Sequence, residues 1–123
     1  MRLLSQHEII GMEFSDAKIL EFEFSASRLE FLADFCIVEG EGVIDEETRV
    51  LVEGWDSVVI QRYDGEQESS VDIDAAKSLR ETCERSISLN SFKVAGFETD
   101  SGLWESFDFK QPKVRVTLGS EGE

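Results

Sequence analysis

The stretch "RLEFLADFCIV", residues 28–38, alternates along its whole length. Leu29, Phe31, Ala33, Phe35 and Ile37 share one face at a period of two, with Glu30 and Asp34 on the other. The second face also carries Leu32, Cys36 and Val38, so the pattern predicts a central strand covered on both sides. Just upstream, "AKILEFEFS" (17–25) sets Leu20, Phe22 and Phe24 against Glu21 and Glu23. "IIGMEF" (9–14) reads as another strand, joined through the short turn "SDA", and "SAS" at 25–27 makes the next reversal. Three strands with two short turns form a meander.

Downstream, "EGEGVIDEE" (39–47) packs five carboxylates into nine positions around two glycines and reads as a loop. "TRVLVEGWDSVVIQRY" (48–63) alternates again, with a bulge or bend expected at Gly54 that divides it into two strands. "DGEQESS" (64–70) is a polar loop. In "DIDAAKSLRETCERS" (72–86), Ala76, Leu79, Cys83 and Ile87 recur at spacings of three and four. With Asp72 or Asp74 as cap and Arg80 and Arg85 toward the end, this predicts a helix over about 73–86. "SFKVAGF", "LWESFDF" and "KVRVTL" resume as strands, the first two joined by the hairpin turn "ETDSG". "GSEGE" is an expected frayed tail. The prediction is a single α+β domain over residues 1–123. It is mainly an antiparallel sheet or flattened barrel of about eight strands with one packed helix.

A chain of 123 residues with twelve aromatics and 41% hydrophobic residues can bury a core. No run of about 18 apolar residues suggests a membrane helix, and "MRLLSQHEII" lacks an apolar signal core. Cys36 and Cys83 are too few for a disulfide scaffold and read as buried thiols, which makes the cytoplasm the expected compartment. The net charge of −15 is lopsided: residues 1–74 hold nineteen acids and five bases, residues 75–123 eight acids and seven bases. Such a potential disfavours nucleic acid and anionic membranes and favours a basic protein. Acidity also keeps proteins dispersed, which is the plainer reading.

Motifs for chemistry are few. His7 is the only histidine, and Ser57 in "GWDSV" lacks the glycines of a nucleophile elbow. No phosphate-binding glycine loop occurs. One histidine and two distant cysteines make no zinc motif. "DIDAAKSLRE" fails the EF-hand at Ala76 and Lys77. Glu39, Glu41, Asp45 and Glu47 could wrap a calcium ion, although dense exposed carboxylates are usually hydrated. The expectation is therefore no catalytic residues, no cofactor and no metal, with a carboxylate enzyme or calcium binder as a distant alternative. Trp55 and Trp104 stand near turns beside glycine and acids, and Tyr63 precedes "DGEQE". Each aromatic is either a core cover or an interface anchor.

The segment "SLNSFKVAGFETDSGLWESFDFKQPKVRV" (88–116) resembles small uncharacterised bacterial β-rich domains, in which a Gly-Phe strand leads to a Trp-containing strand and an edge strand. Small size, acidity and the lack of catalytic motifs resemble the immunity proteins of bacterial toxin–immunity pairs. That resemblance implies neutralisation of a cognate toxin by covering its active surface, and many such toxins are basic nucleases. The sequence thus points to a non-catalytic protein-binding domain holding a basic partner. Its contact residues would be Glu39, Glu41, Asp45, Glu46, Glu47, Trp55, Tyr63 and Trp104. The alternative is a self-assembling domain, a homodimer in the simplest case, pairing the basic "KVRVTL" edge with a neighbour's acidic face.

Overall fold

The computed structural model of the protein describes residues 2–73, 76, 78–88 and 90–119. Its strands are β1 (Arg2–Leu3), β2 (Met12–Glu13), β3 (Ile19–Phe24), β4 (Arg28–Ala33), β5 (Cys36–Val38), β6 (Gly42–Ile44) and β7 (Thr48–Glu53). They continue as β8 (Ser57–Tyr63), β9 (Glu68–Ser70), β10 (Leu79–Ile87), β11 (Ser91–Glu98), β12 (Trp104–Lys110) and β13 (Lys113–Leu118). One short helix, α1, spans Gln6–Ile10. The strands form two five-stranded sheets, ordered β1-β13-β7-β4-β3 and β10-β11-β12-β8-β9, and a small sheet β2-β5-β6. Neither large sheet closes into a barrel.

Alternation explains why the two large sheets stack. Leu29, Phe31, Val50, Val52 and Val116 from the first and Ile60, Phe92, Val94, Phe107 and Phe109 from the second are all buried in one core. Aromatic rings join the layers: Phe22 lies 5.5 Å from Phe107, and Phe24 lies 5.2 Å from Phe107 and 6.3 Å from Phe109. An isolated bridge between Lys18 and Glu81 ties the β3 edge to the β10 edge at one corner. At the predicted break after β7, Gly54 takes φ +65°, and the chain crosses from one sheet to the other.

Several expectations require correction. The run 28–38 is two strands, because Asp34 turns away to bind Lys18: its carboxylate accepts from the Lys18 amide at 3.0 Å, and its own amide donates to the Lys18 carbonyl. The break shifts the parity. Leu29, Phe31 and Ala33 face the core before it, and Cys36 and Val38 after it, leaving Phe35 and Ile37 half-buried. In β3, a register shift between Ile19 and Glu21 turns Leu20 outward, 52% exposed, while Phe22 and Phe24 pack inward.

The predicted helix at about 73–86 is corrected more sharply. Residues 74, 75 and 77 lie outside the described residues, but Leu79–Ile87 is strand β10, paired with β11 from Phe92 to Glu98. The misleading spacing has a simple cause. Positions 79, 83 and 87 are four apart, which satisfies a helical stripe and one face of a strand equally well. Pairing with β11 decides between them, a tertiary effect that local propensity does not contain. Two register shifts along the pair accommodate the fit. The expected burial of the Cys83 thiol and the expected tail over 120–123 fall outside what is described.

The helix that does form lies at the N-terminus and takes in Ile9 and Ile10, the first two residues of the region read as "IIGMEF". Ser5 and Glu8 make a reciprocal capping box: the Ser5 hydroxyl accepts from the Glu8 amide at 3.2 Å, and the Glu8 carboxylate accepts from the Ser5 amide at 2.9 Å. Helix α1 and β1 also cover the open side of β13. The Leu4 amide donates to the Val116 carbonyl and the Gln6 side-chain amide to the Val114 carbonyl. "KVRVTL" is therefore flanked on both sides, by β1 and by β7. Among the described residues, no helix is long and apolar enough to cross a membrane.

Candidate functional site

The acidic stretch forms the β5–β6 hairpin and the link to β7. The hairpin turn closes with the Glu41 amide donating to the Val38 carbonyl at 3.0 Å, and Gly40 supplies the left-handed φ of +86° that side chains resist. The following link is anchored by backbone contacts. The buried Thr48 hydroxyl donates to the Glu46 carbonyl, and the Gly119 amide donates to the Glu47 carbonyl. All five carboxylates, Glu39, Glu41, Asp45, Glu46 and Glu47, are exposed, and Val43 projects among them with 67% of its surface free.

Among the described residues, one of these acids is neutralised. The Arg2 guanidinium donates to both Glu41 oxygens at 2.8 Å and also grips Glu8. This bidentate contact holds the Glu41 carboxyl below the usual carboxylate range. Glu8 is lowered first by the Ser5 amide and then by Arg2. Among the described residues, Glu39, Asp45, Glu46 and Glu47 make no ion pair. The outer face of the first sheet differs: Arg28 pairs with Glu30 at 3.0 Å, and Arg49 lies 3.7 Å from Glu21 and 3.8 Å from Glu30. Among the described residues, negative charge is thus less compensated on the hairpin than on the outer face of the first sheet. Among the described residues, no three of His, Cys, Asp and Glu are grouped to hold a metal ion.

The aromatic candidates are placed elsewhere. Trp55 follows β7, at the end opposite the acidic link, some 20 Å along a six-residue strand. It stacks on Phe24 at 6.2 Å and touches Phe109 at 4.6 Å, closing the core rather than joining the acids. Tyr63 and Trp104 are directly opposite one another on β8 and β12, on the face of the second sheet that turns away from the core. Register continues the line to Glu68 on one side and to Phe97 and then Glu81 on the other. Phe97 meets Trp104 edge-to-face at 5.6 Å. Sequence reading missed Phe97, although in "SFKVAGF" it has the opposite parity to Phe92 and Val94. The inner face of the same strands carries Glu105, wholly buried and 2.8 Å from the Arg62 guanidinium.

A shallow groove of about 420 Å³ runs beside β13, lined by Leu3, Leu4, Gln6, Leu51, Lys113 and Val114 among others. Its walls come from the N-terminal segment and the outer face of the first sheet. No family model, no curated protein and no solved structure matches the chain.

Proposed function

We propose that the protein is a non-catalytic binding domain that holds a basic protein partner on the hairpin between β5 and β7, as the resemblance to immunity proteins implies. The observation that carries this reading is the group of four exposed carboxylates without an ion pair among the described residues, set around the exposed Val43. Unneutralised charge raises the encounter rate with a cationic surface, and a protruding apolar side chain gives the contact a dry centre. Glu21 in β3 and Glu30 in β4 are already paired with arginines and offer a partner less.

The test is affinity capture from a lysate of the producing cells, with elution by a salt step. Wild-type protein is compared with a variant carrying Glu39→Gln, Asp45→Asn, Glu46→Gln and Glu47→Gln. The reading expects one basic protein released by salt from the wild type and weaker retention on the variant. Equal retention on both would remove the hairpin from the contact.

A further inference from the structure

The outward row Glu68–Tyr63–Trp104–Phe97–Glu81 crosses all five strands of the second sheet in direct register. Three aromatics stand at its centre and a carboxylate at each end. Trp104 and Phe97 are half-buried and Tyr63 is 44% exposed, so the row is a formed surface open to solvent. The Tyr63 hydroxyl donates to the Gly65 carbonyl at 3.1 Å, which fixes its ring at the start of the β8–β9 turn. That turn adds the exposed acids Asp64 and Glu66. The Asp64 carboxylate accepts from the Glu66 and Gln67 amides, which order the turn and lower its pKa.

Two features select the occupant. The Phe97 and Trp104 rings are nearly perpendicular, at 87°, so they present a corner rather than one flat platform. A corner suits a compact or edge-inserted group better than an extended planar one. The rim is acidic, with Glu68, Glu66 and Asp64 exposed and no ion pair to Glu68 among the described residues. Aromatic faces attract cations through the ring quadrupole, and adjacent carboxylates add directed hydrogen bonds. Lys93 and Lys110 lie on the same face but two and three rows away by register. Arg80 lies beside Gly102, at the turn entering β12.

We propose that this row receives an arginine side chain of the basic partner, its guanidinium against the Trp104 and Tyr63 rings and its N–H groups directed to Glu68. A guanidinium both stacks on rings and forks onto a carboxylate, which a lysine ammonium does not. The inference rests on the reading of a basic partner and adds to it a second contact, on a different sheet from the hairpin.

The test uses the full chain and three acetylated, amidated pentapeptides that differ only in carrying arginine, lysine or glutamine at two positions. Binding is followed by NMR at the indole N–H of Trp104, assigned with Trp104→Phe, and in the Trp104 variants at the backbone amides of Tyr63 and Glu68. The arginine peptide is expected to give a saturable shift and the glutamine peptide none. Glu68→Gln should weaken the arginine peptide about 2- to 5-fold. Trp104→Leu should abolish binding, while Trp104→Phe retains it and reports an intact fold. The neutralised hairpin variant should lose partner capture yet keep the peptide shift, so failure of the two readings can be told apart. Equal shifts with arginine and glutamine peptides would reduce the row to a plain apolar patch and overturn the proposal. Absence of any shift would overturn it too, and preference for lysine would contradict the choice of arginine.

Discussion

Phenylalanine 107 offers the clearest test of how the two sheets are held together. Phe107 is fully buried, and its ring lies 5.5 Å from Phe22, 5.2 Å from Phe24 and 6.5 Å from Phe109. Phe107→Ala removes a ring from between two hydrogen-bonded sheets that cannot close around the gap. The transfer and cavity costs together come to about 4 kcal/mol. Phe97, ten residues earlier and of opposite facing, is half-buried and has Trp104 as a ring neighbour. Its site opens to water, so Phe97→Ala leaves no closed cavity and costs about 1 kcal/mol. With a urea slope of about 2 kcal/mol per molar, the midpoints should fall by about 2 M and about 0.5 M respectively. Phe107→Leu, at about 1–2 kcal/mol, keeps the comparison readable if the alanine variant does not fold. Equal midpoint shifts for Phe97→Ala and Phe107→Ala would refute the assignment of inner and outer faces.

Further outcomes follow from the same structure. Arg62→Met removes the Arg62 ion pair from the buried Glu105 carboxylate and should cost about 2–3 kcal/mol in urea unfolding, while Arg62→Met with Glu105→Leu should recover most of that loss. Glu8 and Glu41 should titrate below the ordinary carboxylate range by NMR, and Arg2→Gln should raise both. Because these pKa values are lower in the folded state, their contribution is present above the unfolded carboxylate range and fades as pH falls through the folded values. Their exposure keeps that contribution small and salt-sensitive. In a Cys83→Ser background, Cys36 should resist thiol reagents until the protein unfolds, since burial both shields it and pushes its pKa up despite a hydrogen bond to Thr48. The backbone carbon shifts of residues 79–87 should have the sign of a strand; helical shifts there would contradict β10.

Sequence reading carried the antiparallel, alternating character of the chain, because a period of two survives wherever one face meets the core. "SFKVAGF", "LWESFDF" and "KVRVTL" emerge as β11, β12 and β13, and Gly54 breaks the run 48–63 as expected. What failed did so where local pattern underdetermines structure. A spacing of four in 79–87 fits two periodicities, and only the partner strand β11 separates them. One inserted residue turned Leu20 outward and one turn at Asp34 reversed the facing of what followed, and neither leaves a mark in the alternation. The capping box at Ser5 and Glu8 is legible in the sequence, but Ile9 and Ile10 fit a strand start equally well. For the site, the acidic hairpin was visible as composition. Its separation from Trp55, and the row that joins Tyr63 and Trp104 to Phe97, needed the register of the sheets.

The central claim is that uncompensated charge on the hairpin governs capture of a basic partner. The most direct measurement is the association rate of the captured partner with wild type and with the neutralised hairpin variant, each at low and high salt. The wild-type rate should fall steeply with salt, and the variant should be slower by on the order of 10-fold at low salt with a flatter dependence. Rates that are equal for the two proteins and indifferent to salt would contradict that claim.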